Sequence, residues 1–135
     1  FLLGVPSMAV SLCSKIGENF ATAARVAREL VEVLQRQGLC EPVLLNVNVP
    51  DVTYTQLRGT VVTRLGKRHK AEPVLRAVSP RNETLFWVGA AGAAQDAGEG
   101  TDFYAVHNHQ VSVTPLQIDL THNGQLSMVR EWLAR

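Results

Sequence analysis

One stretch of this sequence decides its fold class: residues 7–49, which read SMAVSLCSKIGENFATAARVARELVEVLQRQGLCEPVLLNVNV. Its first part, Ser7–Leu12, is a short apolar run of the kind that forms a buried strand in a parallel sheet. Glu18–Gln37 repeats apolar residues every three or four positions, which predicts an amphipathic helix that ends at Gly38. Val43–Val49 is a second apolar run. Strand, helix and strand in this order predict a right-handed βαβ unit with parallel strands.

The sequence changes character after Pro50. Gly59–Arg68 and Thr84–Gly89 are rich in β-branched and aromatic residues, and we expect them to form two antiparallel strands. Lys67–Glu83, between them, is polar and carries two prolines, which predicts a long excursion of a kind that is usually functional or an interaction arm. Residues 89–100 are small and rich in Gly and Ala, and predict a surface loop.

The C-terminal part predicts one more strand and a helix. Val111–Thr114 alternates like a strand, which we expect Pro115 to interrupt. After Gly124, apolar residues recur at helical spacing, which predicts a C-terminal helix whose single apolar stripe needs a partner surface. These residues are Leu126, Val129, Trp132 and Leu133.

Composition bounds the class of protein. A chain of 135 residues with 13 basic and 12 acidic side chains predicts one domain, and a net charge of +1 offers no electrostatic case for binding nucleic acid or an anionic membrane. No apolar run approaches the roughly 18 to 20 residues that span a bilayer. Cys13 and Cys40 lie far apart, which favours a reducing, cytoplasmic location. The chain begins at Phe1 rather than at Met, so we expect it to be a piece of something longer.

Two polar features are candidate parts of a substrate site. Gly98 to Asp102 reads GEGTD, which could present backbone N–H groups to an anion, although residues 103–106 look too short for a helix behind it. The alternative is a tight turn in which glycine adopts positive φ and Asp102 caps its own backbone. Asn48 lies near the carboxyl end of the second predicted strand, where ligands of open α/β sheets gather, or else it ties that strand to a loop.

Two further clusters have open interpretations. His107 and His109 would share one face of a strand and could start a metal site with Asp102 or Asp119, or they belong to an exposed polar segment. The basic cluster Arg64–Lys70 could contact phosphate or nucleic acid, or it is a solvated loop. No residue has the surroundings of a catalytic nucleophile, and we assign no catalytic residue and no metal ligand in this chain.

Five segments in order resemble the SurE family of stationary-phase survival proteins, which are 5'/3'-nucleotidases. These segments are Gly4–Ser11 (GVPSMAVS), Leu45–Pro50 (LNVNVP), Thr63–Gly66 (TRLG), Gly100–Asp102 (GTD) with Ala105–Val106, and Val111–Leu116 (VSVTPL). The resemblance implies a Rossmann-like three-layer α/β core with an antiparallel β-hairpin extension. It further implies metal-dependent hydrolysis of nucleoside monophosphates, with a divalent ion, Mg or Mn, held by residues outside this chain.

The resemblance also implies how the chain is divided and assembled. It assigns residues 1–50 to the C-terminal part of the core, residues 51–121 to the β extension with an oligomerisation arm at about 64–89, and residues 122–135 to a C-terminal helix exchanged between subunits. We therefore expect a homodimer or homotetramer that binds no membrane and no nucleic acid. Asn48, Gly100, Thr101 and Asp102 are its candidate substrate-binding residues. A non-catalytic oligomerisation module and a nucleic-acid-binding fragment are the rival hypotheses.

Overall fold

The computed structural model describes residues 4–38 and 43–134, so the predictions for Cys40 and for residues 1–3 lie outside the described residues. Single 3₁₀ turns occur at Tyr54–Gln56 and Asn123–Gln125. The strands and helices follow in the order β1 (Ser7–Cys13), α1 (Phe20–Gln37), β2 (Leu44–Pro50), β3 (Thr60–Val62), β4 (Lys67–Arg68), β5 (Leu75–Val78), β6 (Thr84–Trp87), β7 (Ala94–Asp96), α2 (Asp102–His107), β8 (Val111–Leu116) and α3 (Leu126–Leu133).

A four-stranded sheet in the order β1-β2-β8-β3 forms the centre of the molecule. β1 and β2 run parallel, from Ser7 opposite Leu44 to Cys13 opposite Pro50, with α1 as the crossover between them. This confirms the βαβ unit and the α/β fold class, because a parallel pair needs such a crossover. β8 then pairs with β2 antiparallel and with β3 parallel, so the sheet is mixed.

Both ends of α1 are defined by specific residues. The Asp51 carboxylate accepts hydrogen bonds from the Asn19 backbone N–H at 2.8 Å, from the Asn19 side chain at 3.0 Å and from the Glu18 N–H at 3.1 Å. These bonds occupy donors next to the first turn of the helix, and they hold the pKa of Asp51 well below its usual range, the Asn19 side chain contributing most. Gly38 ends the helix in the left-handed conformation, as predicted.

The two faces of the sheet differ in chemistry because strand residues alternate. One face meets α1 and holds the apolar core, where Val26 of the helix packs with Val47, Val49, Val111 and Val113. The other face carries Asn46 and Asn48 opposite Thr114 and Ser112. On this polar face the Thr63 hydroxyl lies 2.7 Å from both the Ser112 and the Thr114 hydroxyls, which satisfies three buried polar groups.

The arm, residues 67–96, leaves the sheet as one long hairpin in which the β5–β6 pair lies beyond the β4–β7 pair. β4 pairs with β7 and β5 pairs with β6, both antiparallel. The predicted pairing of Gly59–Arg68 with Thr84–Gly89 is therefore wrong, because Thr84–Trp87 pairs with Leu75–Val78 instead. β3 joins the central sheet, and the predicted loop 89–100 contains β7. The antiparallel hairpin extension itself is present.

The C-terminal part departs from the sequence prediction in one respect. β8 continues through Pro115, which lies opposite Leu45. β3 pairs with β8 only at Val111–Val113, so the proline stands where one side of the strand is open, a position that sheets tolerate. β3 and β8 both belong to the central sheet although they fall within residues 51–121, and the three-part division of the chain stays a prediction.

α3 leaves its apolar side chains exposed. Trp132 is 59% exposed and Leu133 82% exposed, and the helix packs mainly against the turn that precedes it. Across residues 4–38 and 43–134 no helix has the length and apolarity needed to cross a membrane.

Candidate functional site

A cavity of about 670 Å³ opens beside the carboxyl ends of the parallel strands β1 and β2. In open α/β sheets this is the edge at which ligands bind. Polar, charged and apolar side chains from four regions of the chain line the cavity together. They are Cys13, Ser14, Lys15, Asn48, Arg68, Asp102, Phe103 and Val106.

Asn48 reaches the cavity because of its place in β2. Strand alternation directs it to the polar face of the sheet, opposite Ser112 and away from the core residues Val47 and Val49. Its carboxamide makes no hydrogen bond to any residue in the described part of the chain. The amide is therefore available to a ligand, and the alternative in which it ties the strand to a loop has no bond to support it.

The turn at Gly98–Thr101 starts α2. Gly100 has a φ of 83°, which glycine adopts without strain. Thr101 is fully buried; its hydroxyl donates to the Gly98 carbonyl at 2.7 Å and accepts from the Tyr104 N–H at 3.2 Å, as an N-cap does. The expectation that no helix follows this turn is therefore wrong, because capping stabilises the six-residue helix Asp102–His107.

Asp102 joins the start of α2 to the root of the arm. Its Oδ1 accepts from the Gly66 N–H at 2.7 Å and from its neighbour Phe103 N–H at 2.9 Å, so the prediction that it caps its own backbone holds for this oxygen. The carboxylate also lines the cavity. The charge of Asp102 affects Cys13 in this cavity. The pKa of the Cys13 thiol is raised, mainly by burial and in second place by the negative charge of Asp102.

The four predicted substrate-binding residues divide between two places. Asn48 and Asp102, which are far apart in sequence, line the same cavity. Gly100 and Thr101 border a smaller depression of about 260 Å³ between α2 and β3. Their role visible in the structure is to position α2, and through it Asp102.

The basic cluster contributes one residue to the cavity, and it is paired with an aromatic ring that the sequence analysis did not connect to it. The Arg68 guanidinium carbon lies 4.8 Å from the centre of the Phe103 ring, and Nη1 donates to the Gly92 carbonyl at 3.3 Å. Arg64 is engaged elsewhere, in an ion pair with Asp96 that lowers the pKa of that carboxyl. Lys15 and the Arg68–Phe103 pair were missed because no local pattern links them.

The histidine pair does not form the predicted face. His107 is the last residue of α2, and His109 lies in the following turn with a φ of 60°, so neither is in a strand. Among residues 4–38 and 43–134, no group of three or more His, Cys, Asp or Glu side chains lies close enough to hold a metal ion. The residues described here therefore do not fit a metal site on their own.

Comparison with known proteins gives consistent matches. The family model of "Survival protein SurE" matches residues 1–72. A "5'-nucleotidase SurE" of Nitrosomonas europaea is 60% identical over 98% of this chain and 54% of its own length. One of Methylobacillus flagellatus is 57% identical over 99% of this chain and 54% of its own length.

A solved structure shares the fold. The crystal structure of the SurE protein from Aquifex aeolicus matches 99% of this chain and 54% of its own chain, with a TM-score of 0.74 and 36% sequence identity. The chain thus spans about half the length of the curated relatives and of the solved structure that it matches.

Proposed function

Because this chain belongs to the SurE family, we propose that it forms the C-terminal half of a metal-dependent nucleoside monophosphate phosphohydrolase, a 5'/3'-nucleotidase. Relatives that match nearly the whole chain in sequence are named 5'-nucleotidase SurE, which supports the reaction class. The substrate is a nucleoside monophosphate and the reaction is hydrolysis of its phosphomonoester.

One observation of the structure carries the proposal to particular residues. Asn48 and Asp102 converge on one cavity at the carboxyl edge of the parallel strands, although 54 positions separate them. A ligand that enters this cavity meets an unengaged carboxamide and a carboxylate. Asn48 and Asp102 are accordingly the substrate contacts, and Gly100 and Thr101 hold α2 so that Asp102 faces the cavity.

The metal belongs to the part of the protein outside this chain. The proposed cofactor is Mg or Mn, whose ligands are oxygen-rich groups. Since no three His, Cys, Asp or Glu side chains among the described residues lie close enough to hold a metal ion, we assign the divalent ion to the other half and route no step of the reaction through the residues of this chain. The cytoplasm is the proposed location, on the basis of the two separated cysteines.

We also propose that the arm and α3 assemble the protein into a homodimer or homotetramer. A concentration of large exposed apolar side chains on one part of a folded protein indicates an interaction site. The arm exposes Val74, Leu75, Phe86, Trp87 and Val88, and α3 exposes Trp132 and Leu133. A second copy of the same chain is the partner that supplies matching surface without a further component.

The experiment compares the full-length protein with residues 1–135 alone. Phosphate release from nucleoside monophosphates is measured with Mg or Mn and again after chelation. We expect the full-length protein to be active only with metal and the 135-residue chain to be inactive. Clear activity of the chain alone contradicts the placement of the metal, and an inactive full-length protein contradicts the reaction.

The second candidate function is a non-catalytic oligomerisation module, which the exposed apolar arm favours. It predicts that assembly is retained while hydrolysis is absent in the full-length protein. Light-scattering mass measurement with and without residues 70–82 tests the assembly role, because removal of β5 disrupts the distal part of the arm and lowers the oligomeric state only if the arm joins subunits.

A further inference from the structure

Lys15, Arg68 and Phe103 are among the cavity residues that have no part in the proposed function so far. We propose that Arg68 and Phe103 form a stacking platform for the base of the nucleotide, so that the cavity takes the nucleoside end of the substrate. This inference rests on the proposed function, because it names where one part of that substrate lies.

The platform is held in place before any ligand arrives. The Arg68 guanidinium lies over the Phe103 ring, 4.8 Å from its centre, and is hydrogen-bonded to the Gly92 carbonyl at 3.3 Å. The ring itself lies against Gly66, where a Cβ would overlap the ring and the backbone carbonyl of Asp96. The ring therefore lies against one side of the Arg68 guanidinium. The Arg68 side chain is exposed and lines the cavity, so we place the planar group of the ligand on its opposite side.

Planar groups suit such a surface. Unstacked bases bind to proteins by stacking on aromatic rings and on guanidinium planes, with little dependence on which base is present. The cavity volume of about 670 Å³ is also within the range of small-molecule sites. A base that covers Arg68 would thus extend the existing Arg68–Phe103 stack by one layer.

The polar groups of the cavity fit the edge of a base better than a phosphate. Asp102 uses Oδ1 for two N–H groups, while its Oδ2 accepts no hydrogen bond in the part of the chain that the structure describes. An amino group of a base can donate to Oδ2, and the carboxamide of Asn48 can both donate and accept. Beside Asp102 a phosphate would be repelled by the carboxylate, although the cationic Lys15 and Arg68 line the same cavity and offset that charge. With Arg68 stacked on the base, the phosphate end lies away from Asp102, toward the half of the protein outside this chain.

The test uses the full-length protein with Arg68→Ala, Arg68→Lys and Phe103→Leu. The matched control is Arg58→Ala, which removes an exposed arginine that does not line the cavity. kcat and KM are measured for adenosine 5'-monophosphate and for ribose 5-phosphate, which has the phosphate but no base. Circular dichroism verifies that each variant is folded.

We expect all three cavity variants to raise KM for the nucleotide about tenfold, which is the size of one stacked base, and to leave kcat within about twofold. In these variants KM for ribose 5-phosphate stays at the wild-type value. In Arg58→Ala, kcat and KM for both substrates stay at their wild-type values. Arg68→Lys keeps the charge and loses the plane, so it does not restore nucleotide binding.

Three results would overturn the inference. An equal rise in KM for both substrates assigns the cavity to the phosphate, full rescue by Arg68→Lys assigns it to charge alone, and unchanged KM values remove the cavity from the substrate site. If the wild-type protein hydrolyses no nucleotide, the proposed function fails separately. Calorimetric titration with adenosine then decides: binding weakened about tenfold by Arg68→Ala supports the platform, and no binding to the wild type overturns it.

Discussion

The central sheet and the arm both contain apolar strand residues, but the sheet buries them and the arm exposes them. In the sheet, Val47, Val49 and Val111 are fully buried, whereas in the arm Phe86 and Trp87 are 68% and 63% exposed. Strands of both regions contain valine and leucine, so the presence of these strand-forming residues does not distinguish a core from an interface. The difference comes from what lies against each strand: α1 covers one face of the sheet, whereas within residues 4–38 and 43–134 the strands β5 and β6 pack mainly against each other.

The largest expected effect of a substitution is on assembly through the arm. Replacing Phe86 and Trp87 together with serine removes two large exposed aromatic groups, and aromatic residues at the centre of an interface contribute about 2 kcal/mol or more each. We expect the dissociation constant of the oligomer to rise at least about a hundredfold, while the fold is kept. Light scattering over a concentration series measures it.

The control for the arm is Arg81→Ser, at the tip of the same hairpin, which keeps the aromatic pair. Unchanged assembly in the double variant would mean that the exposed aromatics of the arm are not an interface. There would then be no support for a contrast between a sheet covered by α1 of the same chain and an arm covered by a second subunit.

The second effect is on the core of the sheet. Val47→Ala removes two methyl groups from a fully buried site between α1 and β8, and leaves a cavity that the packed neighbours only partly fill. We expect the free energy of unfolding to fall by about 2–3 kcal/mol. Urea denaturation measures the loss.

Val88→Ala makes the same change on the arm, where the side chain is 86% exposed. We expect a change within about 0.5 kcal/mol for the monomeric state. Equal losses in the free energy of unfolding for Val47→Ala and Val88→Ala would show that Val88 on the arm is as buried as Val47 in the sheet.

The third effect is at the junction of the two regions. Gly66→Ala places a Cβ where the Phe103 ring and the Asp96 carbonyl already lie, so one of them must shift. We expect a loss of about 1–3 kcal/mol of stability, as for overpacking elsewhere. Thermal unfolding compares it with Gly98→Ala, where a new Cβ meets nothing within 4 Å. Similar melting temperatures for the two variants would contradict the close packing of α2 on the arm root.

The smallest effect is the pH dependence of the α1 terminus. The pKa of Asp51 is lowered in the folded state, chiefly by the Asn19 side chain, so its contribution to stability is present above the unfolded pKa of about 3.9 and is lost as the pH falls through the folded value. Asp51→Asn should therefore reduce stability at neutral pH and flatten its decline below about pH 4. Urea unfolding at several pH values tests this against Glu99→Gln. If the free energy of unfolding of Asp51→Asn fell as steeply at acidic pH as that of the wild type, Asp51 would be excluded as the source of the decline.

The predictability of each element follows from how local its cause is. The helix α1 was predicted from its apolar spacing and from Gly38, and the parallel pair of β1 and β2 follows from the crossover rule. The pairing within the arm was predicted wrongly, because exposed strands lack the alternation against a core that sets register. The helix α2 was missed because six residues carry too little pattern, and Thr101 and Asp102 stabilise it through their own hydrogen bonds.

The candidate site divides in the same way. The position of Asn48 near the end of a strand could be read from the sequence, and so could the turn at Gly100. That Asn48 and Asp102 share one cavity, and that Arg68 lies over Phe103, could not. These contacts join residues 54 and 35 positions apart, and they exist only because the sheet order places β8 beside β2 and the arm root against α2.

Periodicity, turn residues and ordered motifs were sufficient for the fold class and for membership of the family, because each acts within a few residues along the chain. The architecture of the arm, the existence of α2 and the composition of the cavity depended on tertiary contacts. Their physical reason is that pairing partners and cavity walls are selected by packing against distant segments, whose free energy no local pattern records.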